Sequence, residues 1–297
     1  MTNYNSLKQQ LASGPIVTAP GIYDALGAVL VEQAGFTAAY LSGASIAYTQ
    51  FGCPDVGLVG MSEVAATLSS IKERVDIPVI VDADTGFGNA LNVIRTVRLF
   101  ERSGANAIQL EDQTLPKRCG HLTGKTLVST GEMVGKIKAA LDARRSSDTL
   151  IIARTDAIAV EGIDAALDRA QRYVDAGADI LFVEAPQSAA QMTRIVDQFN
   201  DQVPLLANMV EGGKTPQMTA MELQEVGYSL VIFPGGLVRA FSRMATEYFA
   251  SLKTHGSNMP FADKMLDFQQ LNELLGTSDV LAQGAEYDSK NFEESDD

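Results

Sequence analysis

Tryptophan is absent from this 297-residue chain, and cysteine and histidine occur only twice each. Two thiols, Cys53 and Cys119, cannot staple a disulfide scaffold or build a cysteine-rich metal site, and they suit a reducing compartment, so a cytoplasmic setting is expected. Ten prolines beside 25 glycines exclude collagenous and low-complexity classes. Basic residues are also scarce: Lys plus Arg number 23 against 37 Asp plus Glu, a formal net charge of -14 and a pI near 4.6. Such a field repels phosphate backbones and anionic lipid, so neither nucleic acid nor a membrane surface is an expected partner. No apolar run approaches the roughly 18 residues of a membrane span. The opening residues lack the basic-then-apolar order of a secretory leader. An anionic substrate must therefore find local positive charge in a metal ion or in a few placed Arg and Lys.

What the chain has in quantity is alternation. Apolar runs at 16–19, 38–41, 79–81, 107–110, 150–153, 180–183, 205–207 and 230–233 are each followed by a longer stretch of helical period. In 163–176 the residues Ile163, Ala166, Leu167, Ala170, Tyr173 and Val174 fall on one face of a 3.6-residue repeat. Gly35, Gly104, Gly177 and Gly227 follow helix ends and predict short connections into the next strand. Strands apolar on both faces, alternating with helices, predict an α/β fold closed as a (β/α)8 TIM barrel rather than an open doubly wound sheet. No Gly-x-Gly-x-x-Gly follows the first strand, which argues against dinucleotide binding. Residues 1–282 read as one barrel domain with C-terminal helices: an eighth helix near 237–252, then a further helix near 261–275 without a strand partner. From 283 to 297 six acidic residues and one Lys, with few apolar anchors, predict a disordered tail.

The chemistry collects where strands end. Asp82 and Asp84, at i and i+2 after an apolar strand, are two hard oxygen ligands followed by Gly86 and Gly88, and Glu111 ends the next strand with Asp112 beside it. Three carboxylates at one barrel mouth repel one another unless a cation is present, so Asp82, Asp84 and Glu111 are assigned to Mg²⁺, with Mn²⁺ an alternative, rather than to turn formation. Lys117-Arg118-Cys119-Gly120-His121 lies in a polar loop of about 18 residues, long for a strand-to-helix connection and a candidate lid. Its two cations and nearby histidine are expected to depress the Cys119 thiol and let it exchange protons near neutral pH. Cys53 reads instead as a small buried side chain, His255 as exposed, and Asp55 as either a turn residue or a metal-proximal group. Arg154 at a strand end suits a substrate carboxylate or a neighbouring Glu such as Glu184.

Together these motifs resemble the isocitrate lyase and phosphoenolpyruvate mutase superfamily, from Ala19-Pro20-Gly21 to at least Pro234. Ser42-Gly43, Pro54-Asp55, the segment from Asp82 to Gly88, Glu111-Asp112-Gln113, the Lys117 to His121 loop and the segment from Ala153 to Ala157 agree in order. The cysteine-bearing loop looks like that of the carbon–carbon lyase branch, not of the mutases and phosphonopyruvate hydrolases. The segment from Asn208 to Pro216, Ser42-Gly43-Ala44-Ser45 and Leu122 look more like the 2,3-dimethylmalate lyase and petal death protein group than like methylisocitrate lyase. Leu122, where arginine is common, is expected to leave a third substrate carboxylate without a cation.

The resemblance implies a homotetramer, a dimer of dimers that exchanges the eighth helix, and a small hydroxy- or ketodicarboxylate as partner. It implies Mg²⁺ at the acidic cluster, Tyr40 as the base for the 2-hydroxyl, and Cys119 as the acid that protonates the departing enediolate. His121 and the amides near Gly43 and Ala44 are implied as its donors, Arg118 joins the catalytic set, and Arg154 holds the keto-acid carboxylate. Ser42, Asp55, Glu184, Asn208 and Gly120 complete the substrate contacts. Methylisocitrate lyase, oxaloacetate hydrolase and a non-catalytic dicarboxylate-binding barrel are the alternatives.

Overall fold

The computed structural model describes residues 6–292, which fall into two units, one ending at Arg239 and the other beginning at Ala240. In the first, eight parallel strands close in sequence order: β1 (Val17–Ile22), β2 (Ala39–Leu41), β3 (Val79–Asp82), β4 (Ala107–Glu111), β5 (Leu150–Thr155), β6 (Ile180–Val183), β7 (Leu205–Asn208) and β8 (Leu230–Phe233), with β8 pairing back to β1. The expected barrel is present. Helix α1 (Leu7–Ser13) precedes β1, opened by a capping box between Ser6 and Gln9. Around the barrel run α2 (Ala25–Gln33), α3 (Gly43–Gln50), α4 (Met61–Lys72), α5 (Ala90–Arg102), α6 (Thr130–Ala143), α7 (Ile158–Glu161), α8 (Ile163–Asp175), α9 (Ala189–Phe199) and α10 (Ala220–Val226). The period read at 163–176 is α8, whose Ala166, Leu167, Ala170 and Tyr173 are buried.

Strands β2 to β7 are buried on both faces, as a sheet between a filled lumen and a helical jacket must be, while Thr18 and Pro20 of β1 and Phe233 of β8 are part-exposed. One cluster fills the lumen, with Ala19, Tyr40, Ile80, Ile152, Phe182, Leu206 and Ile232; Leu7 of α1 joins it. Two further clusters lie between strands and helices. The first strand runs three residues past its expected end, through Pro20 and Gly21. A Cβ at Gly21 would stand 2.3 Å from the Pro234 carbonyl oxygen, so the closing strands approach there only because the residue is glycine.

The eighth helix, α11, spans Gly236–His255. The helix expected at 261–275 is instead a 3-10 turn at Met259–Lys264 followed by α12 (Phe268–Leu274), because Asp267 caps a new helix through a capping box with Gln270. Helix α13 (Thr277–Ala285) follows from Gly276 in a left-handed conformation and carries order past residue 283, with a further 3-10 turn at Ser289–Asn291. The remainder of the expected tail, 293–297, lies outside the described residues. From Ala240 onward Phe261 is the one buried hydrophobic side chain among the described residues, and this segment is the second of the two compact units. No described helix is long and apolar enough to cross a membrane.

Candidate active site

The C-terminal ends of the strands surround a cavity of about 60 Å³, room for several waters or one small acid. Tyr40, Ser42, Ala44, Asp55, Asp82, Glu111, Arg118, Cys119, Gly120, His121, Arg154, Glu184 and Asn208 line it. Gly43 opens α3 behind the Ser42 cap, and its Cβ position lies 3.4 Å from Asp82 Oδ2 and 3.7 Å from Asp84 Oδ1. The expected site residues therefore converge, and they sort into two charged groups.

On the β3 side, Asp84 has φ 46, a left-handed backbone unusual for a non-glycine and of the kind that collects at functional sites. Its amide donates to Asp82 Oδ1 at 3.1 Å, and its carbonyl accepts from the Glu111 amide at 2.9 Å. Lys117 reaches in from the loop to bridge Asp55 and Asp84, the latter at 2.6 Å. Through that contact Asp55 anchors the loop beside Asp84. Burial lifts the Asp84 carboxyl to about 6 against the pull of Lys117. Burial also opposes the Lys117 charge, but Asp84, Glu111 and Asp55 outweigh it and hold the ammonium protonated.

On the β5 side, Arg154 grips Asp156 with Nε at 2.9 Å and Nη2 at 3.0 Å, and its Nη1 lies 3.3 Å from Glu111. Its guanidinium stands 5.1 Å from the Phe182 ring centre. Lys125 adds a second cation, 2.9 Å from Asp156. Burial pushes the Asp156 carboxyl up, but Arg154 and Lys125 overcome it and hold it down to about 2. Asp112 faces away from the mouth. It accepts from the Thr155 hydroxyl at 2.7 Å, the Tyr173 hydroxyl at 2.8 Å and the Asp156 amide at 2.9 Å, and so fixes the end of β5.

The loop between β4 and α6 closes over both groups. His121 Nδ1 accepts from the Lys214 amide at 3.1 Å, which leaves Nε2 as the protonated nitrogen of the neutral ring, 3.2 Å from Glu184 Oε1. Burial lowers the His121 pKa and keeps it neutral. Asn208 donates to both Glu184 oxygens at 3.3 and 3.2 Å.

One expectation needs correction. The Cys119 thiol is raised, not depressed: burial dominates, Lys117 is engaged by carboxylates, and Arg118 turns outward to the Thr123 carbonyl at 2.9 Å. Tyr40 is buried in the lumen, and that burial, followed by the Asp82 charge, holds its phenol well above the usual range. Leu122 is exposed and does not line the cavity. Cys53, expected to be buried, is half-buried with Sγ 3.6 Å from the Ala47 carbonyl oxygen, and His255 is exposed as expected.

Sequence reasoning missed Lys125, Asp156, Gln109 and Arg239. Gln109 points into the lumen with Nε2 3.4 Å from Asp82 Oδ1, and Arg239 meets Glu211 at 2.9 Å beside the cavity. Asp156 had a signal, two residues beyond Arg154 at a strand end. Lys125 had none, because its carboxylate partner, Asp156, is distant in sequence.

The donor set fits a hard cation. Buried acceptor oxygens Glu111 Oε1, Gln109 Oε1 and Asn208 Oδ1 have no hydrogen-bond partner, so acceptors exceed donors around the mouth. Among the described residues no three acidic, histidine or cysteine side chains converge as a ready metal cluster, so the three-carboxylate grouping expected of Asp82, Asp84 and Glu111 is not seen preformed.

The chain matches the family described as phosphoenolpyruvate phosphomutase over residues 7–253. It is 43% identical over 282 residues to the 2,3-dimethylmalate lyase of Eubacterium barkeri, covering 94% of this chain and 96% of that protein. With the 2-methylisocitrate lyase of Aeropyrum pernix it shares 46% over 284 residues, covering 96% and 91%. The crystal structure of a 2,3-dimethylmalate lyase matches at TM-score 0.89 and 37% identity over 98% of this chain and 97% of that one. Oxaloacetate acetylhydrolase bound to 3,3-difluorooxalacetate matches at 0.88 and 32%, covering 95% and 96%. With its fold, its loop and its two charged groups in the order the motifs required, the chain belongs to the phosphoenolpyruvate phosphomutase family of the PEP mutase/isocitrate lyase superfamily.

Proposed function

We propose that the protein is a metal-dependent carbon–carbon lyase that cleaves a 2-hydroxydicarboxylate of the 2-alkylmalate or 2,3-dimethylmalate type into a 2-keto acid, such as pyruvate, and a simple carboxylate. The observation that carries it is the placement of a protonated thiol and a neutral imidazole, on one closed loop, over a cavity with Arg154 on one wall and Asp82 on another. Asp82 and Asp84, with Glu111, would hold Mg²⁺ or Mn²⁺, which would act there as a Lewis acid toward the hydroxyl and the adjacent carboxylate. Tyr40 lines the cavity as the proposed acceptor of the 2-hydroxyl proton, a role open to it only as the phenolate once its own proton has passed to solvent, and burial, the largest cause that keeps it a phenol, opposes that ionisation. Arg154 holds the keto-acid carboxylate, with Ser42, Asn208 and Glu184 around it.

When the C2–C3 bond breaks, its electron pair passes to the departing carboxylic acid as an enediolate. His121 Nε2–H and the first amides of α3, at Gly43 and Ala44, face that charge. Cys119 Sγ–H returns a proton to C3, and Gly120 lets the loop come close enough to do so. Its raised pKa suits this role, since an acid must keep its proton until it is needed. Arg118 sits at the mouth as part of the closed loop.

A dicarboxylate is favoured because, beyond the Arg154 that takes the keto-acid carboxylate, Lys117 and Arg239 are paired with Asp55 and Asp84 and with Glu211, which leaves Arg118, bonded to the neutral Thr123 carbonyl, as the further cation lining the cavity for a second carboxylate. A third carboxylate would lose its water without gaining a cation of its own. The 46% identity to a 2-methylisocitrate lyase supports the tricarboxylate as the second reading. The panel that decides is 2,3-dimethylmalate, 2-methylmalate, 2-methylisocitrate and oxaloacetate with Mg²⁺, followed by keto-acid release and by acetate plus oxalate. We expect an alkylated malate to give a kcat/KM about tenfold or more above 2-methylisocitrate. The reverse order gives the enzyme to methylisocitrate, and no turnover of any of the four leaves a binding-only barrel.

A cytoplasmic homotetramer, a dimer of dimers exchanging the eighth helix, completes the proposal. An apolar groove lined by Leu30, Val31, Phe36, Phe233 and Leu237, and the exposed Phe241, Met244 and Phe249 of α11, support it.

A further inference from the structure

Two buried lysines hold the β4–α6 loop down, and only Lys117 faces the cavity. Lys125 does not line it, yet its side chain is 1% exposed. Burying an ammonium is costly unless its donors find partners. Lys125 finds two, the Asp156 carboxylate at 2.9 Å and the carbonyl oxygen of Gly120.

Gly120 is the residue between the thiol and the imidazole. A Cβ there would stand 2.3 Å from Glu184 Oε1 and 2.4 Å from Arg154 Nη2, so the loop tip is pressed against the ends of β5 and β6 as closely as backbone can go. Asp156, the other end of the tether, is immobile: Arg154 grips its carboxylate and Asp112 binds its amide. The stem of the loop is closed separately. Gln113 bridges Leu127, the Thr114 amide donates to Thr126 at 2.8 Å, and the Val128 amide donates to Asp112 at 2.9 Å. The stem can therefore stay formed while the tip lifts, and at its β5 side the tip is tied through Lys125.

We propose that Lys125 is a positioning residue: it latches the loop to Asp156 through the Gly120 carbonyl and so sets how far Cys119 Sγ and His121 reach into the cavity. It touches no substrate. Its effect on turnover rests on the lyase reading above, whereas its effect on thiol exposure does not.

The test uses the full chain carrying Cys53→Ser, so that Cys119 is the one reporter thiol, and compares Lys125→Met and Lys125→Gln with this parent. Alkylation of Cys119 by iodoacetamide, followed by mass spectrometry in buffer with Mg²⁺ and no substrate, is expected to quicken about tenfold or more in Lys125→Met. Lys125→Gln, which keeps a donor for the Gly120 carbonyl, falls between. On the best substrate of the panel kcat drops roughly 10- to 100-fold, the scale of an ångström-sized misplacement. The Kd for pyruvate with Mg²⁺ stays within about threefold. Parental alkylation rates in both variants overturn the latch whatever kcat does. Unchanged kcat in Lys125→Met, or a loss of pyruvate affinity as large as the loss of kcat, overturns the positioning role. If Lys125→Met does not fold because Asp156 loses a partner, Lys125→Gln decides by the same readings. If nothing in the panel turns over, the lyase reading fails and the alkylation comparison still decides the latch.

Discussion

The two sides of the barrel mouth hold similar numbers of carboxylates and treat them oppositely. On the β3 side one lysine serves Asp55 and Asp84, with Asp82 alongside, and Asp84 is pushed up to about 6. On the β5 side Arg154 and Lys125 both bear on Asp156 and hold it at about 2. Burial acts on both; what differs is the count of cations and the bidentate fit of arginine to a carboxylate. On the β5 side Asp156 is fully paired, although Glu111, which shares Arg154, is lifted by burial; on the β3 side one lysine serves the carboxylates. On the proposed lyase reading, the paired side is where the keto-acid carboxylate would dock and the unpaired acidity is where a cation would bind.

The largest effect expected from this difference is on metal. EDTA followed by dialysis should abolish turnover and Mg²⁺ or Mn²⁺ should restore it. Asp82→Ala should remain folded and inactive at any metal concentration. Metal should also raise the thermal midpoint of the wild-type protein and leave that of Asp82→Ala nearly unmoved. Full activity in EDTA would mean that the β3 side needs no cation and that its acidity has another purpose.

Next in size is the thiol that stands over both sides. Cys119→Ser should bind pyruvate with Mg²⁺ about as tightly as wild type while kcat falls roughly 10²- to 10⁴-fold, the usual span for a positioned acid. Serine is close in shape and far weaker as an acid. Cys53→Ser, outside the cavity, is the control and should change turnover little. Wild-type turnover in Cys119→Ser would remove the acid and leave the loop as a cover only.

The barrel was legible because it is periodic: strands buried on both faces leave unbroken apolar runs, and α8 writes its buried face at helical spacing. Asp82, Glu111 and Arg154 were legible because strand ends in a barrel point to one mouth. The charge state of Cys119 was not. Sequence neighbours Lys117 and Arg118 suggest a thiolate, but in three dimensions one lysine is taken by Asp55 and Asp84 and the arginine turns to Thr123. Lys125 failed for the same reason in reverse, since its partner Asp156 lies 31 residues on. The break between the 3-10 turn and α12 was legible in principle, as Asp267 and Gln270 spell a capping box within an apolar stretch.

The smallest effect separates the two sides by the sign of their response to acid, read as differences between wild type and single variants in EDTA. Asp156 is held below its unfolded value of 3.8, so its contribution, roughly 2 kcal/mol, is complete above that value and is lost as pH falls toward about 2. The gap in thermal midpoint between wild type and Asp156→Asn should therefore be constant from pH 7 to about 4 and narrow below it. Asp84 is raised above the same unfolded value, so its ionised form disfavours the fold above about 6, and that penalty is relieved as pH falls from 6 towards 4. Asp84→Asn should accordingly gain on wild type at pH 7, with that advantage shrinking below pH 6 and gone by about pH 4. Other groups at the mouth, Glu111, Asp112 and His121 among them, titrate in every variant and largely cancel in the differences. Two difference curves that slope the same way would mean that both sides are balanced alike, and the case for a cation at Asp82 and Asp84 would lose its electrostatic basis.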